Sequence, residues 1–284
     1  MLEPNKAVRH FLICFLTDLS YKELTMRILV SSVLLLSLQG LCIVPASADQ
    51  KADALLAEMQ ATYKSAETMT ATMTSTHITS KVSQGFPKVN YKKTQIYKMQ
   101  KPGKISVVTK TIKAIPAKSL DYTMISDGKT TWEFKPATNE YVKDQEDASI
   151  DITPGLSLKV GFVEIVSQGD ISILFFKPNL FFPTAAEQKA QFTKVTSQYI
   201  GTKKVGDVVC QVVVMTLTGP ANIRRELYIG PDKLIHREIT HTKFPSLESD
   251  NDVTITDIKL DPPLTDADFT FVPPAGAKEV KELK

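Results

Sequence analysis

Cysteine, histidine and tryptophan are scarce in this sequence, at three, four and one in 284 residues. Cys14 and Cys42 lie in the first 48 residues, so Cys210 stands alone beyond them and no intramolecular disulfide is open to it. Set among Val208, Val209 and Val212, it reads as a small buried hydrophobe. Three histidines lie beyond residue 48. His236 and His241 are five apart in a strand-like run, hence on opposite faces and unable to chelate together. Met69, Met73 and His77 share a face and are soft enough for copper, but core packing is their expected role. HExxH, GxSxG, the P-loop and GxGxxG are all missing. With no nucleophile and base, metal cluster or paired carboxylates at useful spacing, no catalytic residue, metal site or cofactor is expected, and the chain is not read as an enzyme.

Charge of one sign is missing too. The formal net charge is +3, with the lysines spread over many segments, which leaves no field for nucleic acid. Arginine beyond residue 48 is limited to Arg224, Arg225 and Arg237. Arg225 alternates with Ile223, Leu227 and Ile229, so it stands on an apolar face and needs a carboxylate or backbone carbonyls as partner.

Long hydrophobic runs are limited to one, residues 28–44, and at 17 residues with Gln39, Gly40 and three serines it is short and polar for a spanning helix. It follows Met26-Arg27 and ends in Pro45 and Ala46-Ser47-Ala48, the small-x-small pattern of a signal-peptidase site. Residues 26–48 are therefore expected to be a signal peptide cleaved after Ala48, residues 1–25 an upstream extension, and residues 49–284 a single exported domain. Leu41 before Cys42 departs from the Gly or Ala that lipid attachment would want.

What is present is alternation. An amphipathic helix comes first, with Ala52, Leu55, Leu56, Met59 and Tyr63 on one side. The period then becomes two. Residues 67–80 set Met69, Ala71 and Met73 against a row of threonines, and further strands are predicted at 89–100, 104–113, 120–126, 129–135, 139–144, 192–203, 207–218, 222–229, 233–243 and 252–260. About eleven strands with short connections imply one large antiparallel sheet that must curl. In the stretch ISDGKTTWEFKPATNEYVK (125–143), Asp127-Gly128 makes a tight hairpin, with Thr130, Trp132 and Phe134 on one face and Thr131, Glu133 and Lys135 on the other. The aromatic face is expected to point inward.

One segment breaks the alternation. Residues 153–183 hold five of the 13 phenylalanines and suggest two short helices, one at Leu156, Val160, Val163 and Val166 and one after Asp170. An insert at about 153–185 is thus expected to be either a mobile lid over an apolar interior or a permanent plug.

The succession YKMQKPGKISV (97–107), SDGKTTWEFKPATNEY (126–141), LYIGPDKLIHREI (227–239) and DADFTFVPPAGAKEV (266–280), behind an amphipathic helix, resembles the LolA-like superfamily, and within it the predicted periplasmic proteins of unknown function. The resemblance implies a mainly β fold: an incomplete, curved antiparallel β-barrel with an N-terminal helix, a helical lid and an apolar interior for acyl chains. It also implies a lid-latching arginine in the strands at 89–113, where this chain has Lys98, Lys104 and Lys110 instead.

The expected function is a periplasmic carrier that binds a lipid or the acyl part of a lipoprotein, as a monomer with no cofactor. The alternative is an envelope-stress sensor using the same fold to hold a membrane-protein partner. Trp132, Phe134, Phe162, Ile165, Leu174, Phe175, Phe176, Phe181 and Phe182 are expected to line or close the cavity.

Overall fold

The computed structural model describes residues 49–82, 88, 90–115, 121–144, 171–176, 194–219 and 221–283. Helix α1 (Gln50–Ser65) opens the domain and is capped by Asp49, whose Oδ1 accepts from the backbone N–H groups of Lys51 and Ala52. The strands follow as β1 (Thr68–Val82), β2 (Asn90–Gln100), β3 (Lys104–Ile115), β4 (Tyr122–Asp127), β5 (Thr131–Lys135) and β6 (Glu140–Asp144). After the short helix α2 (Ile171–Phe176) come β7 (Lys194–Val205), β8 (Val208–Thr218), β9 (Asn222–Ile229), β10 (Ile235–Lys243), β11 (Leu247–Leu260) and the two-residue β12 (Lys278–Glu279).

All twelve strands form one sheet in the order β12-β6-β5-β4-β3-β2-β1-β11-β10-β9-β8-β7. Every pairing is antiparallel except that of β12 with β6. The two halves of the meander join where β1 pairs with β11, and β6/β12 and β7 are left as the two margins. This is the incomplete, curved antiparallel barrel with few helices that the sequence predicted.

Tight turns hold the register. At the β4–β5 hairpin, Gly128 takes φ +91°, which an L side chain would resist, and Asp127 Oδ1 accepts from the N–H groups of Lys129 and Thr130 at 2.8 Å each.

The core lies on the face of the sheet that carries α1. Ala52, Leu55, Met59 and Tyr63 of the helix join Met69, Ala71, Met73, Tyr97, Met99, Ile105, Val107 and Met124 of β1–β4 and Leu227, Val253 and Ile255 of the other half in one cluster. The helix is tied at both ends. Asp49 Oδ2 accepts from the N–H of Tyr199 on the margin strand β7 at 2.7 Å, and Lys51 sits 3.6 Å from the Tyr199 ring centre. At the other end, the Lys101 ammonium donates to the carbonyls of Tyr63, Lys64 and Ala66, satisfying the open C-terminus of the helix.

The opposite face of β2–β6 is covered by the chain's C-terminal segment. It leaves β11 at Asp261, whose carboxylate accepts from the N–H groups of Glu67 and Thr68, and passes through a 3-10 turn at Asp266–Phe269. Phe269 is buried, Lys98 pairs with Asp268 at 2.7 Å and Lys104 with Asp266. The segment ends by adding β12 to the edge of β6.

Candidate functional site

Cross-strand partners in an antiparallel ladder share a face, so the register fixes which side chains line the interior. One row runs Met69, Met99, Ile105 and Ser126 across β1–β4, and the next runs Ala71, Tyr97, Val107 and Met124. Apart from Ser126 these rows are apolar or aromatic, and all are buried. Methionine is concentrated here. Of the eight in the chain, the six beyond residue 48, Met59, Met69, Met73, Met99, Met124 and Met215, all belong to the interior cluster. An unbranched, polarizable side chain fills irregular space and repacks easily.

Farther from α1 the same face becomes polar. Gln95, Thr109 and Tyr122 form a row across β2–β4, and Ser75 and His77 continue along β1. His77 stacks on Tyr91 with ring centres 5.0 Å apart; burial, with Lys93 nearby, holds its imidazole below the usual histidine range. Across the junction Arg225, 1% exposed, reaches Glu238 at 2.9 Å, and Thr240 donates to the same carboxylate oxygen at 2.7 Å. Arg225 thus faces inward, as its alternation with Ile223, Leu227 and Ile229 requires. It is the interior arginine of this sheet. Lys98 and Lys104, in the strands where the resemblance implies a latching arginine, face the other side and hold the C-terminal segment, and Lys110 lies 3.9 Å from Asp121.

Helix α2 completes the described interior. Ile171, Leu174 and Phe175 are buried in the cluster, Phe176 is half-buried and meets Phe175 edge to face at 5.0 Å, and the Lys101 ammonium lies 4.9 Å from the Phe175 ring centre. Lys101 therefore touches both helices.

The predicted site residues divide into three groups. Leu174, Phe175 and Phe176 lie together against the interior. Trp132 and Phe134 do not: Trp132 pairs with Ile125 and Phe134 with Thr123, whereas the interior residue Met124 pairs with Glu133. The expected parity of the hairpin holds, but its aromatic side faces outward, where Phe271 of the C-terminal segment lies 6.2 Å from Trp132, 6.3 Å from Phe134 and 5.4 Å from Tyr141, ring centre to ring centre. The signal for this lay in Phe269 and Phe271, which need a surface to cover. Phe162, Ile165, Phe181 and Phe182, with the predicted helix at 156–166, lie outside the described residues.

Cys210 is buried and its thiol is pushed up to about 11 by desolvation, consistent with a packing role. Among the described residues, no three His, Cys, Asp or Glu side chains are placed to hold a metal ion. His236 is engaged with Asp232, and His241 with Asp250 and Glu248.

The outer aromatic cluster supplies a reporter, because Trp132 is the single tryptophan. In the same segment, the hydrogen bond from Lys98, helped by the Thr265 N–H, holds the Asp268 carboxyl down from 3.8 to about 2. A depressed carboxylate stabilises the folded form above its unfolded value and loses that contribution as pH falls through its folded value. Trp132 emission should therefore shift between about pH 4 and pH 2 as the C-terminal segment loosens, ahead of the far-UV circular dichroism, and Asp268→Asn should show the loosened signal already at pH 7. Emission in Asp268→Asn identical to wild type across that range would show that this contact does not hold the segment.

A family described as "Predicted periplasmic protein (DUF2092)" matches residues 52–282. No protein of curated function matches the sequence. Among solved structures, the chain is similar to LprF from Mycobacterium bovis, at 12% identity over 77% of this chain and 96% of that one, with a TM-score of 0.44. It is similar to an uncharacterized conserved protein from Thermus thermophilus, at 12% identity over 81% and 99%, with a TM-score of 0.43. A LolA superfamily protein from Nitrosomonas europaea is 11% identical over 78% and 97%, with a TM-score of 0.32.

Proposed function

The chain belongs to this family of predicted periplasmic proteins, and from that membership we propose that it is exported by a signal peptide cleaved after Ala48 and binds the acyl chain of a lipid or lipoprotein on the inner face of its sheet. The observation that carries the reading is the interior methionine cluster facing the six-residue helix α2. A helix this short has little stability of its own and is held by its side chains. Leu174 and Phe175 fill apolar space that an acyl chain would fill equally well, so α2 acts as a resident stand-in that the ligand displaces.

The energetics suffice. Burying a methylene is worth about 0.8 kcal/mol, so a 16-carbon chain gains roughly 10 kcal/mol before ordering costs, enough for micromolar or tighter binding without a charged anchor. No step of this function needs bond chemistry, in keeping with a binding protein and not an enzyme.

Native mass spectrometry with organic extraction of the 49–284 protein, purified from periplasm, tests the reading. Co-purifying lipid or acylated peptide is the expected result and would name the cargo. A mass that stays that of the bare chain after incubation with phospholipid, monoacylglycerol and fatty acid would overturn it, and would direct attention to a sensor that holds a membrane-protein partner.

A further inference from the structure

The interior changes character along a sharp line. On the α1 side of that line the rows of β1–β4 are built almost wholly from Met, Ala, Tyr, Ile and Val; on the other side stand Gln95, Thr109 and Ser75, at 2%, 1% and 2% exposure. Gln95 and Thr109 are direct cross-strand partners, Thr109 is in turn the partner of Tyr122, and Ser75 lies one row farther on β1, diagonal to Gln95. The Gln95 amide donates to the Tyr122 hydroxyl at 3.3 Å. Its Oε1, the Oγ1 of Thr109 and the Oγ of Ser75 have no hydrogen-bond partner among the described residues. Buried polar atoms in folded proteins are nearly always paired, so three from adjacent strands that face the same side mark a place where a polar group is received.

We propose that Gln95, Thr109 and Ser75 form the head-group end of the binding site, and that the ligand is a single-chain amphiphile with an uncharged head bearing hydroxyl or amide N–H groups. The inference rests on the acyl-binding reading and deepens it. A carbonyl oxygen such as Gln95 Oε1 accepts only, so it requires a donor; two hydroxyls both donate and accept. A carboxylate or phosphodiester head brings acceptors alone and would leave Gln95 unmatched, whereas a glycerol or an N-acyl amide answers all three. The tail then runs over the Tyr97, Val107 and Met124 row toward Met69 and Met99. From Gln95 to Met99 is four residues of extended strand, about 13 Å, a span suited to the buried part of one acyl chain. Lys93, the partner of Ser75, lies beyond this row with its ammonium 5.3 Å from the Tyr91 ring centre, so an anionic head is the competing chemistry and forms an arm of the test.

The test measures binding of 1-monooleoylglycerol, oleate and the apolar dye 1-N-phenylnaphthylamine to the 49–284 protein and to its Thr109→Val and Gln95→Leu/Thr109→Val variants. Wild type should take monooleoylglycerol more tightly than oleate. The double variant should lose roughly tenfold in monooleoylglycerol affinity, the equivalent of two modest hydrogen bonds, and hold the dye within about twofold. The melting temperature of Thr109→Val without ligand should be equal or higher, because an unpartnered buried hydroxyl has been replaced by a methyl of similar shape, whereas Gln95→Leu also gives up the hydrogen bond to Tyr122. Should the double variant fold poorly, Thr109→Val alone should give the same pattern at roughly threefold. Unchanged monooleoylglycerol affinity in a folded variant, or tighter binding of oleate by wild type, would overturn the head-group assignment while leaving acyl binding intact. Failure of wild type to bind any of the three would bring down both.

Discussion

Replacing Arg225 with Leu is expected to destabilise the domain by about 3–5 kcal/mol, because it leaves the Glu238 carboxylate, 3% exposed on its side chain, inside the sheet with its cation removed. The desolvation of both charges is offset in the native protein by their 2.9 Å contact and by neighbours such as Thr240, which donates to the same oxygen. Removing the carboxylate as well should return most of the loss, since Arg225→Leu/Glu238→Leu exchanges a desolvated ion pair for apolar packing beside Leu227 and Met215. Urea unfolding followed by circular dichroism on the two single variants and the double closes the cycle. A double variant as unstable as the sum of the singles would mean that the two side chains do not act as a pair.

The second large effect is expected at Phe175, which has 0% exposure and packs against Phe176 and beneath the Lys101 ammonium. Phe175→Ala should lower stability by about 3–5 kcal/mol, the range for truncating a buried phenylalanine. If α2 is a stand-in for the ligand, the same change weakens the competitor, so acyl-probe affinity should rise while stability falls. The two quantities moving in opposite directions is the distinguishing outcome. Stability and affinity falling together would make Phe175 an ordinary core residue whose loss disorganises the interior, and α2 a fixed plug.

The strand pattern was legible because the threonine-rich, β-branched segments alternate cleanly: the eleven predicted strands coincide with β1–β11 to within a few residues, except β11, which starts at Leu247 instead of 252. Arg225 was legible for the same reason, its neighbours at two-residue spacing being Ile223, Leu227 and Ile229. Period two gives parity, however, and not sidedness. Assigning Trp132 and Phe134 to the interior assumed that aromatic faces turn inward, but the C-terminal Phe269 and Phe271 create a second apolar layer on the far side of the sheet. The ladder through Met124 and Glu133 decides the matter, and that pairing is a long-range property no local window contains. Lys278–Glu279 escaped for a different reason: two exposed charged residues have no strand signature, and they pair only because the covering segment delivers them to the edge of β6. The polar group of Gln95, Thr109 and Ser75 was hidden in the alternation, since in sequence each looks like an ordinary residue of a strand.

The margins of the sheet are guarded by residues near the two ends of the domain. Asp49 takes up a backbone N–H of β7, and residues 278–280 pair with β6, where the Val280 N–H donates to the Tyr141 carbonyl at 2.8 Å. Trimming the chain to the eleven strands evident in its sequence would uncover the edge of β6 and release the Tyr199 N–H of β7, and an uncovered edge offers an unpaired strand to another molecule, the usual route by which open sheets polymerise. Foreign sequence is better carried by the hairpin at Gly206, where the chain turns into solvent and nothing stands within 4 Å of an added side-chain atom.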